Sequence, residues 1–102
     1  EAHDHDHDDF ESVVVSVDAV ENPDTVCYKI GQIAREQNIL RAKGYVAVKG
    51  KPMRLLVQAV GTRIRAQYDR SWKPNENREG RIVFIAEHDD IKPVTIEAVM
   101  RG

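Results

Sequence analysis

The stretch of residues 40–61 constrains the fold more than any other part of this chain. Two apolar-rich runs, residues 44–49 and 53–60, flank a short segment that contains Gly50 and Pro52. Gly50 can adopt positive φ and the ring of Pro52 fixes its own φ, a combination typical of a turn. The pattern predicts a β-hairpin whose second strand has one apolar face and one mixed face.

The residues before this hairpin predict one strand and one helix. Residues 10–20 alternate apolar and polar side chains, which is the pattern of a half-buried strand. Asn22, Pro23 and Asp24 then form a helix-start signal, because Asn or Asp caps free N–H groups and Pro fits the first helical position. A helix over about residues 23–37 has an apolar stripe formed by Val26, Ile30, Ile33 and Ala34.

The residues after the hairpin continue the sheet. Residues 62–68 alternate, and they form either a third strand of a meander or a bent continuation of the second strand across Gly61. After a loop of polar composition, residues 81–86 are apolar enough for a buried strand. Asp89 or Asp90 would then cap a short final helix.

This order of elements predicts an α+β fold in two layers. A mainly antiparallel sheet of four to five strands has the helices packed on one face. The length of 102 residues suffices for one modest hydrophobic core. We interpret residues 1–9 as a His/Asp-rich linker and residues 10–102 as the folded domain.

Composition and cysteine content lead us to expect a cytoplasmic protein. Of its residues 41% are apolar and 31% charged, and no apolar run approaches the ~20 residues of a membrane span, so no membrane partner is expected. A single cysteine, Cys27, excludes an internal disulfide and fits a reducing compartment, where we expect it to be a buried thiol. The chain begins at Glu1 without Met and without the order of a signal peptide, so we expect a piece of a longer protein.

The sharpest candidate site is the His/Asp tract. His3, His5 and His7 alternate with Asp4 and Asp6. In an extended segment, residues two apart share a face at roughly 6.6 Å, so two imidazoles can converge on one ion. Imidazole suits Zn²⁺, Co²⁺, Ni²⁺ or Cu²⁺, and neighbouring carboxylates can ligate or orient the rings. We therefore predict a weak, exchangeable metal site; the alternative, a solvated acidic linker, stays open.

His88 is a second, less favoured candidate for a metal ligand. It lies in the run E-H-D-D after the predicted buried strand, where it could add a ligand if the N-terminal tract folds nearby. Such a run before a helix is more often a cap and turn.

Basic and aromatic residues gather in the middle of the chain, which favours a contact surface. Arg, Trp and Tyr are enriched at protein interfaces, so we predict a partner-binding surface. A nucleic-acid surface is less favoured, because the body is only mildly basic and carries no nucleic-acid motif. The residues predicted to contact a protein partner are Arg63, Arg65, Tyr68 and Trp72.

No catalytic constellation is visible in the sequence. Ser12 and Ser16 have no paired histidine, and the carboxylates show no arrangement that would separate a general acid from a general base. We therefore expect this chain to be non-catalytic.

Several motifs together carry a family resemblance. H-D-H-D-H-D-D-F-E-S leads into the first strand, and L-R-A-K-G-Y-V-A-V, R-L-L-V-Q-A-V-G and R-I-V-F-I-A follow. Over nearly its whole length the chain resembles the C-terminal domain of the CobW family. The resemblance implies a module of a P-loop GTPase that acts as a metallochaperone, here supplying cobalt in cobalamin biosynthesis.

Two sequence motifs of the family are missing from this chain. Neither the G-x-x-x-x-G-K-[ST] phosphate loop nor the C-x-C-C metal motif of the family is present. GTP and Mg²⁺ are therefore expected only in an N-terminal GTPase domain, which is the implied partner, together with a cobalt chelatase as client. No cofactor is expected to be tightly bound here, apart from Co²⁺ or Zn²⁺ held weakly by the tract. A metal-buffering protein and, less favoured, a nucleic-acid-binding domain remain the alternatives.

Overall fold

The computed structural model describes residues 9–101. It contains five strands and two helices: β1 (Phe10–Val17), α1 (Pro23–Gln37), β2 (Arg41–Val46), β3 (Met53–Val60), β4 (Arg63–Ser71), β5 (Gly80–Glu87) and α2 (Pro93–Arg101).

Helix α1 has the predicted bounds, and both of its ends are capped by hydrogen bonds of nearby residues. The side chain of Asn22 accepts a hydrogen bond from the backbone N–H of Thr25 at 3.0 Å, and Pro23 occupies the first turn. Asn38 adopts the left-handed conformation at the other end, and its N–H donates to the carbonyl of Ala34. The predicted apolar stripe, Val26, Ile30, Ile33 and Ala34, is buried.

The strands form one antiparallel sheet in the order β1-β5-β2-β3-β4. The hairpin β2-β3 is confirmed, with positive φ at Gly50. Gly61 also has positive φ and reverses the chain, so β4 is a separate third strand of the meander. Strand β5 enters between β1 and β2, and this joins both ends of the chain to the meander.

Both helices pack on one face of this sheet, which confirms the predicted α+β fold. Helix α1 contacts β3 and β4, whereas α2 contacts β1 and α1. Burying apolar surface between the two layers is the main stabilising contribution to the fold. The largest fully buried side chains are Phe84, Ile30, Ile33, Leu55, Ile82, Ile96, Val26, Val46 and Val57.

Three predicted details were wrong. Strand β1 ends at Val17 rather than at residue 20, because the chain turns toward α1. Helix α2 begins at Pro93, directly after Lys92, so neither Asp89 nor Asp90 is its cap; both lie in the preceding turn. The first strand of the hairpin spans residues 41–46 rather than 44–49, because residues 41–43 already pair with β3 and β5 and residues 47–49 lie outside this ladder.

Neither helix of residues 9–101 is long and apolar enough to cross a membrane.

The second face of the sheet carries no helix in the described part of the chain. Side chains that alternate with the buried ones point to this face from all five strands. We call it the open sheet face. Its members include Val14, Arg41, Lys43, Leu56, Gln58, Val60, Arg63, Arg65, Gln67, Arg81, Val83 and Ile85.

Candidate metal-capture and docking sites

The predicted metal-binding tract, formed by His3, Asp4, His5, Asp6 and His7, lies outside the described residues. The structure does describe where the tract joins the folded body. Asp9 precedes β1, and among the described strands β1 lies at the edge of the sheet and pairs with β5.

His88 lies at this junction. Its backbone N–H donates a hydrogen bond to the carbonyl of Asp9, which extends the β1-β5 ladder by one position. Its ring Nδ1 lies 2.7 Å from Oε1 of Glu11, and the His88 side chain is 66% exposed. The chain therefore presents an accessible imidazole beside the end of the His/Asp tract.

The contact with Glu11 fixes the chemistry of the His88 ring. A carboxylate accepts hydrogen bonds but donates none, so the proton of this contact is on Nδ1. In the neutral ring, Nε2 then keeps its lone pair and is the atom free to ligate a metal. Metal-binding histidines usually have this arrangement, with the second ring nitrogen donating to a carboxylate.

The neighbourhood of His88 is acidic. Glu87, Asp89 and Asp90 flank it in sequence, and Asp9 lies across the ladder. This charge attracts cations. Within residues 9–101, however, no three His, Cys, Asp or Glu side chains are grouped so that they could hold a metal ion. The described part of this corner thus offers one oriented imidazole and no complete site.

The open sheet face has the features of a contact surface. Val60 is 62% exposed, and Val14 and Phe10 are also more than half exposed. Leu56, Gln58, Arg65 and Gln67 line a shallow depression of about 120 Å³. Exposed apolar side chains interspersed with arginine are typical of surfaces that bind proteins.

The cations of this chain fall into two groups. Arg54 pairs with Asp69, and Arg70 pairs with Glu76 through two hydrogen bonds each. By contrast, the exposed cations of the open sheet face make no ion pair within residues 9–101. These side chains are Arg41, Lys43, Arg63, Arg65 and Arg81.

The four residues predicted to bind a partner do not form one surface. Arg63 and Arg65 both lie on the open sheet face. Tyr68 pairs opposite buried Leu55, on the helix side of the sheet edge. Trp72 is only 5% exposed, so it contributes little surface to any partner. Of the four residues, Arg63 and Arg65 are therefore the ones that a partner docked on the open sheet face would contact.

Trp72 instead anchors the loop that follows β4. Its ring packs edge-on against Tyr45 with centroids 5.9 Å apart, and the guanidinium of Arg54 lies 4.4 Å from the centre of the Tyr45 ring. Glu76 closes the loop by binding Arg70 and the backbone N–H of Lys73. The guanidinium of Arg70, followed by this N–H, lowers the pKa of Glu76 to about 2.

Cys27 has the environment of a structural thiol. It is half-buried on α1 and packs against the core. Burial, followed by the nearby negative charge of Asp24, raises the pKa of the thiol. Metal binding and nucleophilic attack both use the thiolate, which this environment disfavours.

A cleft of about 600 Å³ lies between the free edge of β1 and the two helices. Charged side chains of both signs line it. Nη2 of Arg101 lies 3.9 Å from Oε1 of Glu97, and Nζ of Lys29 donates a hydrogen bond to the carbonyl oxygen of Met100. No histidine or cysteine is among the described residues that line it.

The pairing of His88 with Glu11 was missed from the sequence. The two residues are 77 positions apart, and only the antiparallel pairing of β1 with β5 brings them together.

These observations define a class: a small α+β accessory domain with an uncovered sheet face and a His/Asp-rich approach to its first strand. Residues 10–101 match the family model described as the cobalamin synthesis protein CobW C-terminal domain. The chain belongs to this family.

Curated relatives and solved structures agree with this assignment. The chain is 46% identical over 85 residues to the "Zinc chaperone CobW" of Sinorhizobium sp, covering 83% of this chain and 24% of that protein. It is also 46% identical to the Pseudomonas aeruginosa protein of the same name, over 60% of this chain and 16% of that protein. The Zn(II)-bound YjiA GTPase from E. coli has the same fold, with a TM-score of 0.75 and 26% identity, covering 100% of this chain and 33% of that one.

A Zn(II)-bound triple mutant of YjiA matches equally well, with a TM-score of 0.75 and 29% identity over 92% of this chain. The chain thus spans at most about a third of the length of these relatives. It corresponds to the C-terminal domain of proteins that are named zinc chaperones or GTPases.

Proposed function

We propose that this chain is the non-catalytic C-terminal domain of a GTP-dependent metallochaperone. It docks on its own N-terminal GTPase domain through the open sheet face, and its His/Asp tract captures a metal ion weakly. GTP and Mg²⁺ bind in the GTPase domain. A GTP-driven change there alters how this module is presented to the client that receives the metal.

The observation that carries the proposal is the open sheet face. Helices bury one face of the sheet, whereas Val60, Val14 and Phe10 remain exposed on the other. An antiparallel sheet can have one face exposed to solvent, but the side chains on that face are normally polar. Here exposed apolar side chains lie among cations such as Arg63 and Arg65, which make no ion pair within residues 9–101, and this suits a partner surface that is partly apolar and partly acidic.

The occupant that we propose is the GTPase domain of the same protein. Relatives of this chain extend over three or more times its length, and two of the solved relatives are GTPases. A domain that shares a polypeptide with its partner binds it at high effective concentration, so a modest surface suffices.

Zinc is the cargo that the relatives favour. Two curated relatives are named zinc chaperones, and the solved relatives carry Zn(II). The family description refers to cobalamin synthesis, which supports cobalt and a cobalt chelatase as client. Imidazole and carboxylate ligands bind both Zn²⁺ and Co²⁺, so the residue types of the tract do not predict which of the two ions it prefers. We propose zinc as the principal cargo and cobalt as the second candidate.

The docking proposal is tested by binding in trans. The 102-residue chain is titrated by calorimetry into the separately purified GTPase domain, in the GDP state and with a GTP analogue. Val60→Asp combined with Arg65→Glu, both on the open sheet face, should weaken binding at least ~10-fold. Val94→Asp is the matched control, because Val94 is 81% exposed on α2, on the opposite side of the sheet.

Two outcomes would contradict docking by this face. Equal loss in the Val94→Asp control would place the contact on the helix side. Absence of any binding by the unmodified chain would remove the GTPase domain as occupant. Salt-dependent binding to oligonucleotides that is lost with Arg65→Glu would favour the nucleic-acid alternative instead.

A further inference from the structure

We propose that the edge of β1 that faces away from β5 is a dimerisation surface, and that its occupant is β1 of a second copy of this chain. The two strands pair antiparallel about a two-fold axis at Val14, so that the two sheets become one continuous sheet. We call this surface the β1 edge. It consists of backbone groups, whereas the proposed function uses the open sheet face, so neither assignment depends on the other.

The backbone of β1 directs hydrogen-bonding groups at this edge. The carbonyl of Asp9 accepts a hydrogen bond from the N–H of His88, so Asp9 and every second residue after it direct their backbone groups toward β5. The residues between them direct their N–H and C=O groups the other way. Within residues 9–101 these residues have no backbone hydrogen bond outside the β1–β5 ladder; they are Phe10, Ser12, Val14 and Ser16. Such a row of backbone groups is a template for another strand.

The two edge strands of the described sheet differ in how they are protected. Strand β4 contains three arginines and an aspartate, and a register shift interrupts its pairing with β3 after Arg54. Charges and irregularities of this kind prevent edge-to-edge pairing. Strand β1 reads F-E-S-V-V-V-S-V, with Glu11 as its one charged residue, no Pro and an unbroken register with β5. The β1 edge is therefore the one suited to pairing.

The sequence of β1 is complementary to itself. Residues 12–16 read S-V-V-V-S, which is symmetric about Val14. In an antiparallel pair centred there, Val14 faces Val14 of the second copy, and Ser12 faces Ser16. Glu11 falls opposite Val17, so no like charges face each other. Hydrogen bonds between hydroxyl side chains and packing of β-branched side chains stabilise such pairs, which favours a second copy over an unrelated strand.

This pairing also buries exposed apolar surface. The side chain of Val14 is 56% exposed and lies beside Val83 in the register of β1 with β5. Because Val14 of the second copy lies on the same face, a strip of four valines crosses the joint. Removal of apolar area from water is the main favourable contribution to association.

The helix layer leaves room for a second copy beside this edge. The cleft of about 600 Å³ is lined by β1 on one side and by residues of both helices on the other. Its charged lining residues include Lys29 and Arg101 together with Glu21 and Glu97. A two-fold axis places this mixed rim against the same rim of the second copy, where opposite charges can pair.

The test is sedimentation velocity of the 102-residue chain at increasing concentration. The chain should dimerise reversibly, and Val14→Lys should weaken dimerisation at least ~10-fold, because two ammonium groups then face each other at the axis. Val60→Lys is the matched control, since Val60 is a 62% exposed valine on the same face but lies on β3, and it should leave dimerisation unchanged. Far-UV circular dichroism checks that both variants fold.

Disulfide cross-linking tests the register. In a Cys27→Ser background, Val14→Cys brings two thiols to the axis, at a Cα separation of about 5.5 Å that a disulfide can span. Ser16→Cys also changes an exposed residue of β1, but its two copies are roughly 13 Å apart along the joint, beyond the reach of a disulfide. Oxidation should therefore cross-link the Val14→Cys chain and not the Ser16→Cys chain.

Several results would overturn the inference. A chain that stays monomeric up to about 1 mM would remove a second copy as the occupant of the β1 edge. Dimerisation that Val14→Lys leaves unchanged, or that Val60→Lys weakens equally, would place the contact on another surface. Cross-linking of the Ser16→Cys chain without cross-linking of the Val14→Cys chain would contradict the two-fold axis at Val14.

Discussion

Both carboxylate oxygens of Glu76 accept hydrogen bonds from the guanidinium of Arg70, at 2.9 and 2.7 Å. The pair closes the loop over Trp72 and makes a polar segment part of the packed structure. Bidentate pairs of this kind are stronger and more directional than ordinary surface ion pairs.

This pair predicts an unusual titration. The pKa of Glu76 is about 2, below its ordinary value of 4.5. A lowered carboxylate pKa stabilises the folded state above pH 4.5, and the contribution is lost as pH falls through about 2. Carboxyl ¹³C spectra should show this titration, and Arg70→Gln should move it upward. Arg63→Gln, a control on the open sheet face, should not. Titration of the unmodified Glu76 near 4.5 would contradict the pairing.

Replacing Gly44 by Ala should be strongly destabilising. A Cβ at this position would lie 1.9 Å from the carbonyl oxygen of Arg81 and 2.6 Å from the Cα of Ile82, so the backbones of β2 and β5 would have to separate. We expect a loss of about 3 kcal/mol or more in the free energy of unfolding, measured by urea denaturation. Gly50→Ala, at positive φ but in open space, should cost only about 1 kcal/mol. Equal costs would contradict the close approach.

The start of α1 depends on one side chain. Asn22 accepts from the backbone N–H of Thr25 at 3.0 Å, so Asn22→Ala should lower the free energy of unfolding by about 1 kcal/mol. Asn22→Asp keeps the acceptor and should be close to neutral. A comparable loss in both variants would show that the cap is not the cause.

Cys27 should react slowly with iodoacetamide. Burial and the charge of Asp24 raise the pKa of its thiol, so little thiolate is present near neutral pH. The alkylation rate should fall below that of a cysteine in an unstructured peptide at the same pH, and Asp24→Asn should increase it slightly. An alkylation rate higher than that of the peptide cysteine would indicate an activated thiol and contradict this prediction.

Local signals allowed some elements to be predicted closely. The bounds of α1 followed from Asn22, Pro23 and the spacing of its apolar stripe, all of which act within one helical turn. The hairpin followed from Gly50 and strict alternation in β3. Each of these features is encoded by neighbouring residues, so the sequence displays it directly.

Long-range pairing could not be predicted in the same way. The insertion of β5 between β1 and β2 creates the His88–Glu11 contact, and nothing local marks either residue for it. Trp72 was expected at a contact surface because basic and aromatic residues gather around it in the sequence. The Arg70–Glu76 pair and the edge-on contact of Trp72 with Tyr45 instead hold the loop after β4 over the sheet and bury the Trp72 ring.

We propose that this domain serves metal delivery and not GTP hydrolysis. The most direct measurement follows both activities of the full-length protein, with and without residues 10–102: the rate of GTP hydrolysis, and the GTP-dependent transfer of Zn²⁺ to a fluorescent chelator. Removal of the domain should leave hydrolysis intact and abolish transfer. Loss of hydrolysis with unchanged transfer would contradict it.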